Sequence, residues 1–140
     1  MSGIDSTSSA LNAERLRLDI ISENIANANT TKGPDGKPYQ RQQVVFESLL
    51  KTASQDQNAG SPTVSLRVAR VEKDQRPPRM VYDPGHPEAN AQGMVAMPDI
   101  NVPEEMVDMI ASSRTYEANL AVVKNARTMA MQALAIAKHS

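Results

Sequence analysis

The sequence predicts an α+β protein in which long N- and C-terminal helices form a coiled-coil-like layer around a small β-rich insert. Apolar residues recur at helical spacing near both ends of the chain. Between them, over residues 31–99, lie every glycine except Gly3 and eight of the nine prolines. Helical periodicity disappears in that stretch and short alternating runs replace it. The expected division is residues 1–30 for the first helix, 31–100 for the insert and 101–140 for the second helix.

The first element follows Ile4, Leu11, Leu18 and Ile25 at a spacing of seven, with Ile21 and Ala28 on the alternate steps, which is a heptad seam. Thr7 and Glu14 occupy the remaining seam positions and weaken its early half. A helix over residues 4–28 follows, and it runs into "NIANANTT". Asparagine is a mediocre helix former because its side chain competes for nearby backbone groups, so three of them need a reason. Asn27 or Asn29 suits the helix end. Asn24, one turn earlier, is expected on the helix surface with its amide unused.

In the insert, "KGPDGKP" is a turn cluster and residues 41–46 read as a strand. Residues 54–62 read as a polar connector, after which Val64, Leu66 and Val68 alternate with polar residues. Short strands are expected again in "RMVY" and "GMVAMP", the set making one small sheet.

The last element is the strongest signal. Asn101 and Glu104 stand at capping-box spacing, with Pro103 in the first turn where its missing N–H costs little. Val102, Met106, Met109, Ser113, Tyr116, Leu120, Val123, Arg127, Ala130, Leu134 and Ala137 then step by fours and threes, and a second stripe runs through Val122, Ala126, Met129, Ala133 and Ile136. A helix from Glu104 to Lys138 is about 52 Å long, whereas a compact chain of this size is roughly 37 Å across. The helix end must protrude, and its apolar stripes call for another chain to cover them.

The remaining features exclude more than they assign. The net charge is −1 and there is no basic stripe, which argues against nucleic acid. With no cysteine, thiol catalysis and thiolate metal sites are excluded. The N-terminal stretch has no basic leader or apolar core of a secretory signal, and no run is long enough to span a membrane. His86 reads as a turn histidine and His139 as a helix-end cation. Glu104, Glu105 and Asp108 read as first-turn acids favoured by the helix dipole. No nucleotide, hydrolase or zinc-protease motif is present, so neither an enzyme nor a cofactor or metal is expected.

The two terminal motifs, Asn24 to Thr31 and "NVPEEMVDMIASSRTYEANLAVVKNA" from Asn101 to Ala126, resemble the flagellar rod and hook axial-protein family of bacteria. The middle, "LRLDIISENIANANTTKGPDGKPYQRQQVVFE" and "PPRMVYDPGHPEANAQG", is similar to its short proximal-rod basal-body members, from whose pattern Pro103 and Met97 depart. The resemblance implies a structural subunit that polymerises helically through its terminal helices into a drive shaft carrying motor torque across the periplasm. It implies export through the flagellar type III apparatus without a cleaved signal. The implied partners are further copies, other rod subunits and the MS-ring and rod-base proteins. The residues expected at subunit interfaces are Leu11, Leu18, Ile21, Asn24, Ile25, Asn27, Asn29, Met106, Met109, Tyr116, Leu120, Val123 and Leu134. The alternative from a different class is a non-polymerising helical adaptor that docks one partner by a helix-in-groove contact.

Overall fold

The two terminal helices are α1 (Ser2–Ala26) and α2 (Val102–Lys138) in the computed structural model, which describes residues 2–51 and 63–139. α1 ends where Asn27 N–H donates to the Glu23 carbonyl at 3.0 Å and the chain turns through Asn29. α2 starts as its cap predicts: Asn101 is extended, its side chain accepts from Glu104 N–H at 3.4 Å, and Pro103 lies in the first turn. At 37 residues α2 is about 55 Å long.

Among the described residues, four strands occupy the insert, in two separate antiparallel ladders. β1 (Gln42–Lys51) runs antiparallel to β2 (Thr63–Lys73), from Gln42 opposite Lys73 to Lys51 opposite Thr63, with a bulge between Val45 and Phe46. β3 (Arg79–Tyr82) pairs antiparallel with β4 (Met94–Met97). The single small sheet expected from the sequence is therefore two sheets of two strands. The reason lies between β2 and β3, where Pro77 and Pro78 supply no N–H and cannot continue a ladder. The expected polar connector lies outside the described residues. The "KGPDGKP" turn forms, closed by Gly33 N–H to the Lys37 carbonyl at 2.7 Å, with Gly36 at φ +76°.

α1 packs against α2 and also against both β1 and β2. Among the described residues, the buried apolar ones are Ala13, Ile20, Ile21 and Ala28 from α1, Val95 from β4, and Ile100 just before α2. Polar side chains share this interior, namely Glu14, Asn24, Glu105 and Ser112. On α2 the side turned toward the chain follows Glu105, Met109, Ser112, Tyr116, Asn119, Val123, Ala126 and Ala130, all buried or half-buried. That row shares Met109, Tyr116, Val123 and Ala130 with the expected stripe. At the intervening steps it takes the neighbouring residue, Glu105 for Met106 and Ser112 for Ser113. On α1 the alternate row of Ile21 and Ala28 is buried, while Leu11, Leu18 and Ile25 are half-buried.

Val95 is fully enclosed. Val95→Ala removes two methyl groups and leaves a cavity, so we expect a loss of about 2 kcal/mol, read as a lower urea midpoint at unchanged slope.

Candidate functional site

The helix layer and the insert meet at Asn24, which is 1% exposed. Its Nδ2 donates to the Gln42 carbonyl at 2.8 Å, and its Oδ1 accepts from Gln42 N–H at 2.9 Å and from the Tyr39 hydroxyl at 2.8 Å. The amide thus closes a two-way bond with the first residue of β1, as a strand neighbour would, and holds the intervening loop through Tyr39. This overturns the expectation that Asn24 lies on the helix surface with an amide free for an adjacent subunit: the chain consumes it. Asn27 has the local role, its Nδ2 bonding the Glu23 carbonyl at 2.9 Å and its Oδ1 accepting from the Thr30 hydroxyl at 3.1 Å. Asn29 is exposed.

A chain of alternating charges ties the same junction to α2. Glu105 pairs with Arg41, just before β1; Arg41 reaches Asp74 at 3.8 Å; Asp74 takes Arg76 at 2.7 Å; and Arg76 reaches Asp99 at 3.6 Å. Backbone joins in, with Asp74 N–H donating to the Arg41 carbonyl at 2.7 Å. Glu105 is 3% exposed, and its second oxygen has no hydrogen-bond partner. It is a first-turn acid as the sequence suggested, and a buried one; burial without a partner would be costly, and Arg41 offsets that. Further along the helix pair, the buried Ser112 hydroxyl donates to the Glu14 carboxylate. The hydrogen bonds from Arg76 hold the Asp74 carboxyl below its ordinary 3.8. Burial, then the charges of Glu23 and Glu105, push the Tyr39 phenol above its ordinary 10.0, keeping it protonated as a donor to Asn24.

The exposed surface of α2, its outer side together with its uncovered end, is the other candidate site. Met106, Val107 and Ile110 near its start, and Val122, Met129, Met131, Leu134 and Ile136 toward its end, are large apolar side chains left exposed. Every residue from Met131 to His139 is exposed. Of the residues expected at interfaces, Ile21 and Asn24 are covered within the chain. Leu11, Leu18, Ile25, Asn27, Met109, Tyr116, Leu120 and Val123 are half-buried, and Met106, Leu134 and Asn29 face solvent. Tyr39, Arg41 and the Glu14–Ser112 pair were not among the expected site residues, since their partners stand 15 to 98 positions away in sequence. His86 sits in a turn, its Nδ1 accepting from Glu88 N–H at 3.0 Å. Among the described residues, no group of three or more His, Asp or Glu side chains could hold a metal ion, and no helix is long and apolar enough to cross a membrane.

Two outcomes test the junction. Asn24→Ala leaves the Gln42 backbone groups without partners, so it should cost about 2–4 kcal/mol, with urea unfolding as the readout. Tyr39→Phe should cost about 1 kcal/mol near neutral pH. Because the folded phenol titrates above its unfolded value, the tyrosine's contribution is complete below pH 10.0 and is lost as pH rises beyond it. The stability gap between the native chain and Tyr39→Phe should therefore close in strongly alkaline buffer.

Both terminal segments match known families. Residues 4–34 match the family described as flagella basal body rod protein, and residues 91–136 match flagellar basal body rod FlgEFG protein C-terminal. The first range contains Asn24, and the second contains Glu105, Ser112 and the outer apolar residues of α2. The flagellar basal-body rod protein FlgC of Borreliella burgdorferi is 41% identical over 96% of this chain and 95% of its own length. The protein of the same name from Salmonella typhimurium is 39% identical, covering 94% and 93%, and that of Bacillus subtilis 36%, covering 94% of each. The matches thus span the helices and the insert alike, and the chain belongs to the FlgC family of bacterial flagellar basal-body rod proteins.

Proposed function

We propose that this rod subunit polymerises through its terminal helices, with residues 1–30 and 101–140 as the axial core and 31–100 as an insert carried on it. The observation that supports this most strongly is the exposed surface of α2, its outer side and its uncovered end together, where eight large apolar side chains stand exposed on a helix too long for the rest of the chain to cover. An apolar surface of that extent marks an interaction site. Leu11, Leu18, Ile25, Met109, Tyr116, Leu120 and Val123, half-buried in the single chain, complete contacts with neighbours on this reading. The junction built on Asn24 and Arg41 holds the insert to the helix layer, so that torque applied to one is passed to the other. Contacts with the MS-ring and rod-base proteins, and passage through the flagellar type III export apparatus without a cleaved signal, belong to the same reading.

Leu134→Asp tests it. The side chain is 63% exposed, so the purified chain should keep its stability to within about 0.5 kcal/mol. Cells carrying only this variant should lose the subunit from isolated basal bodies and should not swim. Normal incorporation and motility would contradict polymerisation through the end of α2.

A further inference from the structure

A cleft of about 350 Å³ opens where α1 meets β1, bordered by Ile20 and Ile21 of the helix, Val44 and Phe46 of the strand, and the charged Arg17 and Asp108. Packed interiors hold few voids larger than a water molecule, so a cleft of this size beside the junction has room for another group. Asn24 and Arg41 also border it, but both are engaged inside the chain. Its available charges are therefore Arg17, held loosely by Glu14 at 3.8 Å, and Asp108, whose carboxylate has no partner among the described residues. The insert carries the matching surface. Met80 (49%) and Tyr82 (70%) are exposed on β3, and at two residues apart they point to the same side of the strand. The other three aromatic side chains are half-buried. The Tyr82 ring lies close over Gly93, where a Cβ would stand 3.0 Å from its Cε2, so it is positioned before any partner arrives. Arg79 and Asp83 bracket the pair, and neither side chain has a partner among the described residues. β3 touches β4 but neither α1 nor β1, so the chain does not fill its own cleft.

We propose that β3 of one copy docks in the cleft between α1 and β1 of a second copy, with Met80 and Tyr82 entering against Ile20 and Phe46. The proposal rests on the reading of the chain as a polymerising rod subunit and adds a contact made by the insert, outside the helix layer. Charge selects the occupant. The cleft offers one base and one acid, Arg17 and Asp108, and β3 is bracketed by one acid and one base, Asp83 and Arg79, so each charge at the mouth meets its opposite. Arg79 starts on the side of β3 away from Tyr82, and its long stem carries the guanidinium round to the rim. The other exposed apolar side chains suit the walls but not the charges. Val107 stands among the acids Glu104 and Asp108, Ile136 is followed by the base Lys138 alone, and Val71 lies between Arg70 and Glu72, which pair with each other at 3.0 Å. Tyrosine fits a half-wet cleft, since its ring is apolar and its tip polar. Because strand and cleft are different surfaces, the contact is heterologous and repeats from copy to copy.

The native chain has no cysteine, so thiols placed beside the contact report it alone. Gly85→Cys stands just past Tyr82, where a Cβ meets nothing nearer than 3.7 Å, and Gln43→Cys stands exposed at the rim of the cleft. Basal bodies isolated from cells expressing either variant or both are treated with a bis-maleimide. The double variant should give covalently linked copies, and each single variant none. Reversing the charges of the strand, Arg79→Glu with Asp83→Lys, should lower the linked fraction about tenfold. Reversing those of the cleft as well, Arg17→Glu with Asp108→Lys, should restore it. Tyr82→Ala, read without any cysteine, should leave the urea midpoint of the free chain unchanged and lower incorporation into basal bodies about tenfold. Full incorporation of Tyr82→Ala, linkage untouched by charge reversal, or normal rods containing the double variant with no linkage would each overturn the contact while leaving the rod assignment standing. Basal bodies lacking the unmodified chain altogether would overturn both.

Discussion

A helix of 37 residues in a chain of 140 sets the terms for the rest of the molecule. At about 55 Å it exceeds the diameter of a compact globule of the same chain, roughly 37 Å, so no arrangement of the other residues can cover it all. α1, at 25 residues, lies against part of one side. What is left over is the outer side and the whole end beyond Ala130, and it is there that Met129, Met131, Leu134 and Ile136 are found. The apolar residues a monomer would be expected to hide are placed where only another molecule can reach them.

The interior follows from the same constraint. With many large apolar side chains left exposed, the interior mixes a few apolar residues, Ala13, Ile20 and Ile21 from α1 and half-buried Met109, Tyr116 and Val123 from α2, with buried polar ones, Glu14, Asn24, Glu105 and Ser112. Apolar burial supplies the attraction. Directional bonds add geometry to it, Glu14 to Ser112, Arg41 to Glu105, and the Asn24 amide to Gln42. Directional bonds tolerate little sliding, and buried polar pairs are known to fix register in helical assemblies. Here they fix α1 against α2 and the insert against both, giving a subunit whose parts move together. That is the mechanical property a torque-bearing rod asks of its units.

Much of the fold was legible because its signals are local. The Asn101 cap, the unbroken period after it, the asparagines at the end of α1 and the glycine turn at residues 33–37 each carry their reason within a few residues. The long-range polar partners were not legible. Glu105 reads as a first-turn acid until Arg41, 64 positions earlier, is seen beside it, and Asn24 reads as a surface amide until Gln42 closes on it. The apolar period sets Met106 among the residues awaiting another chain and it stands exposed, but the period gives no sign that the row turned toward the chain takes Glu105 and Ser112. The division of the insert into two ladders was missed although its cause, Pro77 and Pro78, is plain in the sequence.

The central claim is that the outer side of α2 is uncovered in the single chain and covered in the rod. Methionine oxidation reads this directly, since Met129 and Met131 stand 68% and 61% exposed on that surface and a thioether oxidises where solvent reaches it. Purified chain and isolated basal bodies would be given the same brief peroxide treatment, and the sulfoxide at each methionine measured by peptide mass spectrometry. The account predicts ready oxidation of both residues in the free chain and strong protection of both in the rod. Equal oxidation in the two states would contradict it.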